Sequence, residues 1–177
     1  MPKFVEVMHN EWIAAPEASV RSQFADLRHH IDAEVHPKLR FKILEEGESG
    51  ARYEQRVKLL GIRQRDIFER RFTGDGGMID TSVEGFNRGG SLAFRFTPER
   101  RGAADGTNVN ITIRLPLPPV LGPLLRPLLR AQVRRELVAA VAEDKYDLEV
   151  RGYRPAGAAQ VAPRAGRVEA HAEARTA

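Results

Sequence analysis

Residues 125 to 148 read LRPLLRAQVRRELVAAVAEDKYDL, and their spacing decides what the rest of the chain must supply. Leu125, Leu129, Val133, Leu137, Ala140 or Val141, Asp144 and Leu148 recur at steps of three or four, so they share one stripe of a helix of about six turns. Arg126, Arg130, Arg134 and Arg135 occupy its polar side. Pro127 has no backbone N–H to donate, so regular helix is expected to begin near it, with residues 120–126 forming an irregular turn. An apolar stripe of this length needs an extended apolar surface to lie on.

The preceding sequence reads as that surface. Phe4 to Ile13 approximates period-two alternation, the mark of a strand. Ala14-Ala15-Pro16-Glu17 opens a helix through about Leu27, because proline fits a first turn and glutamate favours the positive helix end. A second short helix or turn carries Arg28 to His36 and stops at Pro37. Strand-like runs follow at Leu39–Glu46, Arg52–Leu60, Ile62–Phe72, Met78–Glu84, Ser91–Thr97 and Asn108–Leu115, separated by glycine-rich turns. Val109, Ile111, Ile113 and Leu115 alternate with Asn108, Asn110, Thr112 and Arg114, giving one dry face and one wet. The expected fold is α+β: a curved antiparallel sheet of about seven strands around a long C-terminal helix, with two short helices after the first strand.

Bulk properties limit the function classes. At 177 residues the chain makes one comfortable domain, expected over 1–151, with an Ala/Arg/Pro/Gly-rich tail at 152–177 too poor in large apolar residues to offset its ordering entropy. No apolar run approaches the ~20 residues of a membrane span, and no secretory pattern is visible. With no cysteine there is no disulfide, thiolate nucleophile or iron–sulfur cluster, so a cytoplasmic setting is expected. Net charge is +4, but the arginines are interspersed with Glu and Asp and aromatic residues make up only 7%, so nucleic acid is not an expected partner.

A sheet curled around one helix is not filled by that helix alone, so a hollow is expected between them. Val57, Leu59, Ile67, Phe94, Phe96, Leu129, Val133 and Leu137 are the candidates for its lining, though each also reads as plain core. Residues 115–125, LPLPPVLGPLL, are unusually apolar and adjoin Arg126, Arg130 and Arg134, a combination suited to peripheral contact with an anionic bilayer or another protein, or to capping the open end of the sheet.

The order of elements, with Trp12-Ile13-Ala14-Ala15-Pro16-Glu17, the hairpin from Phe94-Arg95-Phe96-Thr97-Pro98 to Gly106-Thr107-Asn108-Val109 and the closing helix, resembles the SRPBCC or START-related helix-grip superfamily over about residues 3–150. That resemblance implies a hydrophobic or aromatic ligand such as a lipid, sterol or polyketide, held by a carrier or by a cyclase/aromatase-like enzyme. Asp26-Leu27-Arg28-His29 with His36-Pro37 also resembles the Asp-x-x-His-x-x-x-x-His segment of Rieske-type non-haem iron oxygenases, whose carboxylate ligand lies on the terminal helix, where this chain has Glu143-Asp144-Lys145. It implies His30, His36 and Asp144 as ligands of Fe(II) or zinc, with His29 as the substitute, and, without a cluster of its own, an electron-donor protein or electrons from the substrate. The spacing departs from the pattern: five residues separate His30 from His36 and six separate His29 from His36, where the pattern has four. The same histidines also read as a solvated helix surface, or His30 or His36 as a metal-free acid or base.

Overall fold

The structure is a computed structural model that describes residues 4–59, 61–117 and 122–155. Seven antiparallel strands form one sheet in the order β1-β7-β6-β5-β4-β3-β2: β1 (Phe4–Ile13), β2 (Arg40–Gly47), β3 (Gly50–Leu59), β4 (Ile62–Phe72), β5 (Met78–Gly85), β6 (Ser91–Arg101) and β7 (Ala104–Pro116). Helices α1 (Glu17–Ala25) and α2 (Leu27–Asp32) follow β1, and α3 (Gly122–Tyr146) closes the fold, ending in a π-helical turn over Asp147–Arg151. The expected α+β layout is the one observed.

Register explains the dry face. Val5 pairs with Leu115 and Val7 with Ile113, so the alternation seen in β7 continues into β1. On this face Val5, Val7, Val109, Ile111, Val20 and Phe24 pack with Val133, Leu137 and Val141 of α3 as one core cluster. A second cluster, Leu27, Tyr53 and Phe68 with Phe41 and Leu92 against it, lies towards β2–β4.

Three local features differ from expectation. Helix α3 begins at Gly122 and runs through Pro127, whose missing N–H costs the helix one hydrogen bond. Strands β6 and β7 extend to Arg101 and back from Ala104; Pro98 is tolerated because β5 pairs with β6 only as far as Phe94, leaving Pro98 bonded on one side to β7. Gly106, read as loop, is a strand residue on which any Cβ would come within 2.4 Å of the Trp12 ring, so only glycine lets Trp12 lie there and donate from Nε1 to the Glu99 carbonyl at 3.0 Å.

Packing also continues past residue 151. Tyr153 sits edge-on to His29 with centroids 4.7 Å apart, and its hydroxyl donates to Asp26 Oδ2 at 3.0 Å. The remainder of the expected tail, 156–177, lies outside the described residues. Among the described residues no helix is long and apolar enough to cross a membrane.

Candidate functional site

The two apolar clusters do not meet. Between them is a cavity of about 180 Å³, walled by Phe24, Phe94, Val133 and Leu137 from one cluster and by Leu27, Phe41, Tyr53, Phe68 and Leu92 from the other. Of the expected lining residues, Val57, Leu59, Phe94, Val133 and Leu137 are on its wall. Ile67, Phe96 and Leu129 are not. Ile67 pairs with Glu54 and alternates with Asp66 and Phe68, so it projects to the opposite face of β4. Phe96 is buried edge-on to Phe24 at 5.6 Å, one step along β6 from the lining residue Phe94, and Leu129 packs on the core a turn before Val133.

The histidines reach this cavity because of a break between two helices. Asp26 leaves helical geometry, and its Oδ1 accepts from His29 N at 2.9 Å, capping α2. The last carbonyls of α1 are taken up by Arg70, whose Nη1 donates to those of Phe24 and Ala25 at 3.1 Å. His30, His36 and Asp144 are all buried, all line the cavity, and each offers a ligand atom within 4.8 Å of the others. His30 Nε2 is 3.1 Å and His36 Nε2 3.3 Å from the same oxygen, Asp144 Oδ1. The rings stack with centroids 5.1 Å apart. His29 is held elsewhere: its Nε2 faces Asp147 Oδ2 at 2.7 Å.

The outer nitrogens decide what this triad can do. His30 Nδ1 donates to the Asp26 carbonyl at 2.7 Å, and His36 Nδ1 donates to Glu143 Oε2 at 2.9 Å. With both Nδ1 protons committed, each Nε2 faces Asp144 either as the N–H of an imidazolium or as a lone pair sharing a cation with the carboxylate. In the metal-free chain the first holds for His36. Burial alone would lower its pKa, but the charge and hydrogen bond of Asp144, with Glu143, outweigh burial and raise it to about 9. Burial likewise pushes Asp144 up, yet His36 and His30 hold it well below the usual carboxylate range. The donor set of two imidazoles and a carboxylate, with each outer imidazole nitrogen fixed by an acceptor, also fits a divalent metal ion.

Sequence reading missed Gln23, which is wholly buried and whose Nε2 donates to Asp144 Oδ1 at 3.1 Å and Asp147 Oδ2 at 3.2 Å. It ties α1 to two carboxylates on successive turns at the end of α3. The polar part of the cavity wall was missed as well. Arg70 donates from Nε and Nη2 to the two oxygens of Asp80, each at 2.7 Å, and Tyr53 donates to Asp80 at 2.8 Å. Asp66 accepts from Ser82 and Asn87. The signal lay in the parity of β4: Gln64, Asp66, Phe68 and Arg70 share a face with Tyr53 and Val57. The apolar segment 115–125 falls partly on 118–121, outside the described residues; in α3, Leu124 and Leu128 are exposed near exposed Arg130 and Arg134.

No protein-family model matches the chain, and no curated protein is detectably similar to it in sequence. Solved structures share its architecture. A protein from Thermus thermophilus aligns with TM-score 0.70 at 18% identity, over 84% of this chain and 99% of its own. A START superfamily protein from Mycobacterium smegmatis aligns with TM-score 0.66 at 17% identity, over 81% and 98%. The Zhui aromatase/cyclase from Streptomyces sp. R1128 aligns with TM-score 0.61 at 18% identity, over 85% and 99%. The chain therefore has the helix-grip fold, and at these identities the likeness is one of fold.

Proposed function

We propose that this protein binds a small, mainly apolar molecule of one or two rings in the cavity between its sheet and α3. The observation that carries the reading is the space left where the two apolar clusters face each other, about 180 Å³ with Val57, Leu59, Phe94, Val133 and Leu137 on its wall. A dry cavity on the order of 150 Å³ accepts benzene, whereas drug-sized ligands need roughly 300 Å³ or more. Of the ligands the fold resemblance brings in, a sterol or an extended polyketide exceeds this volume and a single aromatic unit suits it. That an aromatase/cyclase shares the fold supports the reading at the level of fold. A carrier needs the cavity alone; a cyclase/aromatase-like catalyst also needs an acid–base group at the wall, and His36 beside Asp144 is the pair available. Native mass spectrometry tests the binding. An extractable organic compound at one per chain, or uptake of 4-propylphenol at that ratio, is expected; a protein that neither carries nor takes up such a molecule overturns the proposal.

A second reading is favoured by the convergence of His30 Nε2 and His36 Nε2 on Asp144. In it His30, His36 and Asp144 hold a divalent ion on the cavity wall, with Asp26 O and Glu143 orienting the imidazoles. Bound zinc would supply Lewis acidity and bound iron dioxygen activation, the latter with an external electron source. Elemental analysis of protein prepared without chelator is expected to find one iron or zinc per chain, lost in both His36→Ala and Asp144→Ala. Stoichiometric metal that survives both substitutions, or none in the parent, excludes it.

A further inference from the structure

The wall of the cavity is not neutral. Its ionisable side chains are paired almost throughout: Arg70 with Asp80 at 2.7 Å, Lys38 with Glu136 at 3.2 Å, and His36 with Glu143 at 2.9 Å and Asp144 at 3.3 Å. Asp66 is the exception. It is only 3% exposed and lines the cavity, yet among the described residues it makes no ion pair. A buried carboxylate without a counter-charge persists only where hydrogen bonds support it.

Those bonds leave capacity over. Asp66 Oδ1 accepts from Ser82 Oγ at 3.1 Å and Asn87 N at 2.6 Å, while among the described residues Oδ2 accepts only from Asn87 Nδ2 at 2.8 Å. A carboxylate has about four acceptor sites, so Oδ2 keeps one for a donor that none of the described residues provides. Asn87 spends its amide protons on Asp66 Oδ2 and, at 2.9 Å, on Gln64 Oε1, and its own Oδ1 accepts no hydrogen bond among the described residues. Both unused groups are acceptors, and both residues lie on the cavity wall.

The backbone is built to keep them there. Gly85 has φ +116°, and a Cβ on it would come within 2.2 Å of the Arg65 carbonyl and 2.7 Å of Asp66 Cα. The chain after β5 thus folds back tightly on β4, with Phe86 N donating to the Arg65 carbonyl at 3.2 Å and Asn87 brought over Asp66.

We infer that the cavity selects a guest with an apolar body and one hydrogen-bond donor, a hydroxyl or an amine, seated on Asp66 and Asn87. This rests on the cavity-binding reading above. A guest without the donor leaves a buried carboxylate acceptor unmet, and an anionic guest meets an uncompensated negative charge; a site that hydrogen-bonds a substrate donor discriminates strongly against analogues lacking it.

Calorimetric titration of the full chain with 4-propylphenol, 4-propylaniline, 4-propylanisole and 4-propylbenzoate tests this, since the four share one apolar body. Phenol or aniline is expected to bind at least tenfold more tightly than anisole, with benzoate weakest; whichever of the two leads identifies hydroxyl or amine as the donor. In Asp66→Asn the ratio to anisole should fall towards one, and if that variant does not fold, the wild-type ranking decides alone. Anisole binding as tightly as both donors, or benzoate binding tightest, overturns the inference while leaving the cavity reading intact. Failure of all four to bind removes the cavity reading too.

Discussion

Replacing Ala140 by leucine puts a calculable volume into the proposed cavity. Ala140 lies on the inward stripe of α3 between Leu137 and Asp144 and is on the cavity wall. The change adds three carbons, which at ~0.8 kcal/mol per buried methylene gain at most ~2.4 kcal/mol. Ordering the leucine side chain costs ~0.5–1 kcal/mol, and its helix propensity is close to that of alanine. If the 180 Å³ is empty, the variant gains roughly 1.5–2 kcal/mol. For a domain of this size that raises Tm by roughly 3–8 °C. The same substitution in a filled core overpacks it and costs ~1–3 kcal/mol, so the sign alone separates the two cases. Differential scanning calorimetry of the variant and its parent, alongside titration with 4-propylphenol, reads both consequences. Higher Tm with weakened binding is the expected pair; lower Tm with unchanged binding refutes the hollow.

Other expectations follow from the wall. Arg70→Met leaves Asp80 buried without its cation and the Phe24 and Ala25 carbonyls of α1 without their donor, so urea unfolding should show a loss of ~3–5 kcal/mol, larger than in the double variant Arg70→Met/Asp80→Leu. Gly85→Ala should cost at least ~1–3 kcal/mol by the same assay and raise amide exchange at Asn87, because its Cβ meets the Arg65 carbonyl. Burial, then the bond to Asp26 and the charges of Asp26 and Asp147, outweigh Ser22 and push the Tyr153 phenol up to about 12; burial and Asp80 outweigh Arg70 and raise Tyr53 well above its ordinary range. Both are held neutral in the fold, so their contribution is complete below pH 10 and is lost as pH rises through their raised values, about 12 for Tyr153; ultraviolet titration should find Tyr53 and Tyr153 ionising late. Binding to anionic vesicles, measured by co-sedimentation, should disappear in Leu124→Asp/Leu128→Asp and persist in Val150→Asp, if exposed α3 residues rather than general stickiness make the contact.

How much of this was legible in the sequence depended on periodicity. The strand Phe4–Ile13 and the α3 stripe were readable because most of their apolar residues recur at the period of their element, and α3 carried Asp144 on that stripe into the site. His30 and His36 could be nominated from a motif resemblance, but their departure from its spacing left open where they point; the answer depends on the break at Asp26 and the turn after α2, which periodicity does not encode. Strand β4 was the least readable. Residues 62–72, IRQRDIFERRF, are polar on both faces, so Asp66 and Arg70 cannot be assigned inward until the register that pairs Phe68 with Tyr53 is known. Asn87 lies in a turn, where no period applies, and reaches Asp66 only because Gly85 permits the fold-back.

The cavity itself is tested most directly by methyl NMR of ¹³C-labelled protein titrated with 4-propylphenol. Saturable shifts at the methyls of Val57, Leu59, Val133 and Leu137, with Val5, Val7 and Val20 unmoved, are predicted, because the first group lines the cavity and the second packs in the adjoining core. Shifts confined to the exposed Leu124, Leu128 and Val150, or absent altogether, would contradict the account.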